Sequence, residues 1–330
     1  MSAPALTAAS PTPRTRAIAR DSRLYEVMDL MLDSVGDPLA LGSLAASASY
    51  SSYHFDRIFR ELTGFSAVEY QRKRRLRRAA HLLRHEPDVP VGRIAQDCGF
   101  PSNAAFAKAF RQQFAMSAKE WRDGGWRAYM DAQVGRESDV SFFVAEPSNL
   151  AALQAPYCPP EPGSVAARVT VRSLPGIKLR YQRFFGQSGA ALSLACNAFI
   201  CERERSSLAR GASWYGVFDE DPGFTGEREY CYDFGFGAAA PDGGFGADAP
   251  DDDPTLGLRV LPAGSYACLD FDGDWPRFRA MYEDWLERQA VWRLDATRPH
   301  IQKVERDGDG RWRGWLALPV KKRQARARAA

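Results

Sequence analysis

No run of apolar residues in this 330-residue sequence approaches the roughly 18 to 20 needed to cross a bilayer, so no membrane-spanning helix is expected. Residues 1–15 are rich in Ala, Pro, Ser and Thr and lack the apolar core of a secretory signal. They read as part of a disordered tail, 1–18. Histidine is scarce, and the six cysteines (Cys98, Cys158, Cys196, Cys201, Cys231 and Cys268) include no C-x-x-C pair. That argues against a zinc module, and a disulfide framework is not expected in a chain of this size. Reduced cysteines in a cytoplasmic protein are the reading, with no metal and no cofactor.

The net charge is only +3, but it is unevenly spread. Residues 1–130 hold 19 Lys/Arg against 13 Asp/Glu, residues 131–320 hold 20 against 28, and the last ten add five basic groups and no acidic one. A basic front joined to an acidic back implies a polyanionic partner for the front alone.

Two internal repeats organise the chain. In the front, Leu44-Ala45 and Tyr50 recur fifty positions later as Ile94-Ala95 and Phe100, and Phe55, Phe59 and Arg60 recur fifty-one later as Phe106, Phe110 and Arg111. Each copy reads as a helix-turn-helix. A short amphipathic helix over 41–47 precedes a small polar turn, and Ser51 or Ser52 can cap the next helix. Phe55, Ile58, Phe59 and Leu62 give that helix one apolar face, and Gly64 stops it. In the second copy Gly99 occupies the turn, Ser102 is the cap, and Phe106, Phe110 and Phe114 form the stripe. A long helix over 67–85 joins the copies. Arg72, Lys73, Arg74, Arg75, Arg77 and Arg78 surround it and are expected near DNA phosphates. Glu86-Pro87 ends it.

Prolines punctuate 131–165, which reads as a linker with one short strand at 140–144. The back half repeats a second unit. Leu174-Pro175-Gly176 and Leu261-Pro262-Ala263-Gly264 each sit between two strands, followed by an amphipathic helix (189–208 and 275–292) and two more strands. The fold class is therefore multidomain: an all-α double helix-turn-helix domain (19–130) followed by an α+β domain (166–320) of two ββαββ repeats, with a basic tail at 321–330. The loop at 237–254, with its Asp251–Asp253 run, reads as a solvated acidic stretch.

The front half resembles AraC/XylS-type regulators. The resemblance rests on Leu44-Ala45, Tyr53-His54-Phe55, Arg57, Phe59-Arg60 and Thr63-Gly64, then on Val91, Ile94-Ala95, Gly99-Phe100, Ser102, Ala105-Phe106, Ala109-Phe110-Arg111 and Phe114. It departs at Ala115-Met116-Ser117-Ala118, where the family usually has Gly-x-Ser-Pro. It implies two recognition helices entering the major groove of double-stranded promoter DNA, with RNA polymerase as a partner. Their exposed positions would be Ser52, Tyr53, Asp56 and Arg57 in the first, and Asn103, Ala104, Ala107 and Lys108 in the second. Arg57 suits guanine, Asn103 adenine, and Asp56 cytosine. Arg60, Arg72, Arg75 and Arg111 complete the expected DNA-binding set. The first unit is expected to carry more of the specificity.

The back half resembles GyrI-like effector-binding domains, on the two Leu-Pro turns, on 215–222 and on Tyr232-Asp233. The two halves together are similar to Rob-like regulators. The resemblance implies a small-molecule effector in an aromatic cleft, for which Tyr181, Trp214, Tyr230, Tyr266, Trp275, Trp285, Gln302 and Trp312 are the candidates. Gln302 stands where the family often has a pocket Glu, with Glu305 or Glu229 as alternative acids. An amide can neither balance a cation nor act as a general acid, so no enzyme is expected. The alternatives are a hydrolase fused to a DNA-binding module and a protein-sequestering module.

Overall fold

The computed structural model describes residues 22–134, 160–187, 189–205, 213–220, 225, 230–239, 256–272, 278–306, 308 and 311–323. The tail at 1–18, most of the 131–165 linker with its expected strand, most of the 237–254 loop, Trp275, Glu229 and 324–330 lie outside the described residues.

Local chemistry sets the helical half. Helix α1 (Ser22–Asp33) precedes the first helix-turn-helix, α2 (Leu41–Ser47) and α3 (Ser52–Thr63); α4 (Ala67–His85) leads to the second, α5 (Val91–Asp97) and α6 (Asn103–Phe114). Ser51 caps α3 by accepting the His54 N–H at 3.3 Å, and Ser102 caps α6 by accepting the Ala105 N–H at 3.1 Å. Gly64 ends α3 in the left-handed region at φ 79°. Ala115 ends α6 at φ 58°, so the departure from the family pattern leaves the turn geometry intact with an alanine in it. Ser117 and Glu120 then form a reciprocal cap for α7 (Ala118–Glu120). A π-helical turn (Trp121–Gly125) and α8 (Trp126–Val134) follow.

The back half is one antiparallel sheet in the order β1-β6-β9-β8-β3-β4-β2-β5, with β7 on β9. The strands are β1 (Val169–Leu174), β2 (Ile177–Phe185), β3 (Ser213–Phe218), β4 (Cys231–Ala239), β5 (Gly257–Leu261), β6 (Gly264–Asp272), β7 (Trp292–Leu294), β8 (His300–Arg306) and β9 (Trp312–Lys322). The two halves of each Leu-Pro hairpin do not pair with one another. Val169↔Leu269 runs to Leu174↔Gly264, and Ile177↔Leu261 continues to Tyr181↔Gly257 in the same register. Segment 169–181 is thus one bent strand lying along another bent strand, 257–269. Pro175 and Pro262 mark the bends, where no ladder N–H is required. β3 and β8 meet at the centre, and each side of that junction holds three strands of one repeat with the first strand of the other at its outer edge.

Helix α9 (Gly189–Arg205) forms as expected. The helix expected over 275–292 does not run through. A short α10 (Phe278–Ala280) passes into a π turn (Met281–Trp285) and a 3-10 turn (Leu286–Arg288), and Trp292 belongs to β7. The wider turn accompanies an inward Asp284, whose carboxylate accepts the N–H groups of Gly163 at 2.6 Å and of Val165 and Ala166 at 3.0 Å. These bonds hold its pKa below the ordinary carboxylate value.

Strand alternation divides the sheet between two cores. Trp214, Tyr232, Phe234, Val304 and Leu318 face α9 and α10. Leu179, Tyr181, Val217, Tyr266, Cys268 and Ile301 face the other way and form one continuous core with Tyr25, Met28, Leu44, Phe55, Phe59 and Tyr70 of the helical half. The second helix-turn-helix has its own core with α4, built on Leu76, Leu83, Ile94, Phe106, Phe110 and Trp121.

Candidate nucleic-acid interface

Both recognition helices present a polar face to solvent because their phenylalanines fill the opposite one. Ser52, Tyr53, Arg57 and Arg60 are exposed on α3, Tyr53 by 83%. Asn103, Ala104, Ala107, Lys108 and Arg111 are exposed on α6. Arg57 donates to Glu61 at 2.9 Å within its own helix; both side chains are over half exposed, so the pair is weak. Asp56 behaves otherwise. Its Oδ2 accepts from Arg60 at 2.8 Å and its Oδ1 from the Ala67 N–H at 3.4 Å, so it ties α3 to α4. The expected cytosine reader is a structural acceptor.

Helix α4 corrects a larger expectation. Arg72 is exposed, but Arg75 donates to the Gly99 carbonyl at 2.9 Å and lies 5.0 Å over the Phe100 ring, holding the turn of the second unit. Arg74, Arg77 and Arg78 turn away from solvent toward the sheet half. Arg74 and Arg77 reach Glu220 at 3.2 and 2.6 Å, and Arg78 donates to the Ala296 carbonyl. Burial alone would lower the Arg74 pKa, but Glu220 outweighs it and holds the group above its ordinary value. Farther along, Arg84 pairs with Glu287 at 2.9 Å and stacks 3.8 Å over Trp126. Glu86 receives Lys321 at 3.2 Å and Arg293, so Lys321 of the expected tail is the end of a strand anchored to the helical half. On α1, Asp29 binds Arg183 and the Tyr181 hydroxyl, each at 2.6 Å.

These cross-half contacts went unread in the sequence. The signal available was a polar stripe at helical spacing, Tyr70, Arg74, Arg77, His81 and Arg84, opposite an acidic back half.

The candidate effector residues fall on two faces. Trp214, Tyr230, Trp285 and Trp312 belong to the core beneath α9 and α10, with Trp214 stacked on Phe234 at 9° and 5.8 Å. Gln302 shares that side of its strand and accepts the Tyr232 hydroxyl at 3.4 Å. Tyr181 and Tyr266 lie on the opposite face, against the helical half. One cleft cannot be lined by all of them, because strand neighbours of opposite parity point to opposite sides. Glu305, an alternative acid, lies off the Gln302 side and is held by Lys303 at 2.7 Å and Arg313 at 3.2 Å.

Residues 44–124 match the helix-turn-helix domain family. Right origin-binding protein of Escherichia coli K12 is 38% identical over 93 residues, 28% of this chain and 32% of that protein. The probable transcription factor PqrA of Proteus vulgaris is 36% identical over 87 residues, 26% of this chain and 70% of that protein. The chain belongs to the AraC family of regulators. Its match spans about a third of the length of the right origin-binding proteins, so AraC membership is carried by the helical half. Among solved structures, the DNA-binding domain of AdpA in complex with a target DNA is 34% identical, covering 32% of this chain and 94% of that one with a TM-score of 0.30.

Proposed function

We propose that this AraC-family chain is a cytoplasmic, non-enzymatic transcription regulator. It binds promoter DNA through α3 and α6, and its sheet half binds a small-molecule effector; RNA polymerase is its partner at the promoter. The carrying observation is the pair of capped helices with exposed polar faces, Ser52, Tyr53, Arg57 and Arg60 on one and Asn103, Ala104, Ala107, Lys108 and Arg111 on the other. Arg57 reads guanine from the major groove, and Arg72 contacts phosphate. The resemblance of the back-half sequence to GyrI-like domains supports the effector role. Gln302 argues against hydrolysis, since an amide transfers no proton at neutral pH.

The test is selection of binding sites from random double-stranded DNA with the full chain, followed by affinity measurements on the selected site. Recovery of a two-part motif whose first part degrades with Arg57→Ala supports the reading. No enrichment over random DNA overturns it.

A further inference from the structure

Between the two halves lies a cavity of about 340 Å³, walled by α1 and α4 on one side and by the end of β3, β5 and the 296–299 turn on the other. That volume suits a compact ligand. The α4 wall is cationic. Arg74 and Arg77 share Glu220, but Arg78 makes a different contact: its guanidinium donates to the Ala296 carbonyl, and no carboxylate among the described residues lies within ion-pair distance of it. Burial pulls the Arg78 pKa below the ordinary arginine value, with Cys98 and Asp295 compensating only in part. From the sheet half comes Arg298. Its Nε and Nη2 bond Asp295 and the carbonyls of Ser265 and Val320, each at 2.9 Å, whereas its Nη1 is buried with no hydrogen-bond partner among the described residues. Three carboxylates line the space, Glu220 between Arg74 and Arg77 and two others. Asp219 is committed to Arg259 at 2.8 Å, which overrides burial and holds its pKa at about 2, and Asp33 stands exposed at the rim. Leu32, Val35, Val260 and Pro262 supply an apolar part of the lining.

A buried cation without a paired carboxylate costs several kcal/mol unless an anion joins it. We propose that this cavity is the effector site and takes a compact organic carboxylate with an apolar body, its charge held by Arg78 of the helical half together with Arg298 of the sheet half. The proposal rests on the reading of the sheet half as an effector module, and it moves the ligand from the aromatic core to the seam. A ligand touching both halves binds one arrangement of them better than another, which is the requirement for coupling to DNA.

The experiment is calorimetric titration of the full chain with benzoate, phenylacetate and adipate, each beside its neutral amide. At least one acid is expected to bind about tenfold or more tightly than its amide, through charge-assisted hydrogen bonds to guanidinium. Arg78→Gln should weaken that acid about tenfold, whereas Arg172→Gln, on β1 outside the cavity, should not. Val260→Trp, a filling change at a half-exposed edge position, should abolish binding and serves if Arg78→Gln unfolds. Acids no tighter than their amides, or unchanged binding in both Arg78→Gln and Val260→Trp, overturns the site. DNA affinity is then measured with the acid at saturation. A shift lost in Arg78→Gln supports both readings. A shift that survives both variants overturns this site and keeps the effector role, and acid binding that leaves DNA affinity unchanged overturns the effector role and keeps the site.

Discussion

Arginines occupy two faces of the helical half under opposite conditions. On α3 and α6, Arg57, Arg60 and Arg111 stand in solvent, and the ion pairs of Arg57 and Arg60 join residues four apart on one helix. On α4, the side chains of Arg74 and Arg77 are 4% and 2% exposed, and their partner Glu220 is more than 140 positions away. The same residue type therefore does two jobs. An exposed, locally paired guanidinium is held by under about 1 kcal/mol and is free to exchange its partner for a phosphate or a base. A buried one contributes to the seam, and losing its partner strands a charge in low dielectric. The contrast separates groups exposed to a partner from groups that fix how the sheet half is carried.

The sharpest way to break this contrast is Glu220→Ala. It leaves Arg74 and Arg77 buried around a missing carboxylate and should destabilise the protein by about 3 kcal/mol, as measured by urea unfolding. A loss under about 0.5 kcal/mol would place those arginines in the same class as Arg57.

Acid should act on the same seam. His81 and His85 of α4 sit beside Tyr282 and His300 of the sheet half, with His81 and His300 ring centroids 6.5 Å apart and His85 and Tyr282 5.7 Å apart. Burial, then the neighbouring histidines and Arg84, holds both His pKa values well below 6.5. The unfolded chain therefore binds protons that the fold does not. Stability is full above pH 6.5 and falls as pH drops below it, by up to about 1.4 kcal/mol per pH unit for each histidine. Unfolding midpoints across pH 5 to 8 check this. His81→Asn should flatten the slope, and a profile flat over that range in the unaltered chain would contradict the buried neutral pair.

On the exposed face the expected effects are on DNA binding. Arg57→Ala should lose about 2 kcal/mol of discrimination at one base pair while changing stability by less than about 0.5 kcal/mol. Lys108→Ala should lose less, because the remaining readers on α6 include two alanines. Equal losses at both half-sites would remove the asymmetry between the two units.

Legibility in the sequence followed the range of the cause. The bounds of α2 and α4, the Ser51 and Ser102 caps and the Gly64 stop were readable because each depends on residues within one or two helical turns. Most strands were readable as β-rich segments around the two Leu-Pro turns and after each expected helix; β7, inside the helix expected over 275–292, was not. The side of α4 that faces solvent was not, because Arg74 and Arg72 are indistinguishable until Glu220 is brought up by the sheet. Nor was the continuity of β1 with β2, since pairing across the Leu-Pro bend depends on a second bent strand almost ninety residues on. Most of the residues expected to face DNA lie on exposed helix faces; Asp56 and Arg75 do not, because each is captured by a backbone group from outside its own helix. The aromatic set failed for a related reason, in that ring-bearing residues on a two-sided sheet serve both cores.

The smallest expected effect tests the comparison most closely, because it concerns two residues on one helix. Arg72 is exposed and Arg74 buried, two positions apart on α4. If Arg72 neutralises one phosphate, Arg72→Ala should weaken binding to specific and random DNA alike and reduce the slope of log affinity against log salt by about 0.9. Stability should stay within about 0.5 kcal/mol. Arg74→Ala should do the reverse: the salt slope unchanged, with stability lowered by the loss of a Glu220 partner and of the bond from Arg74 to the Tyr70 hydroxyl at 3.1 Å. A salt slope that falls in both variants would mean that α4 opens away from the sheet when DNA binds, and that the seam is one of two arrangements between which the regulator moves.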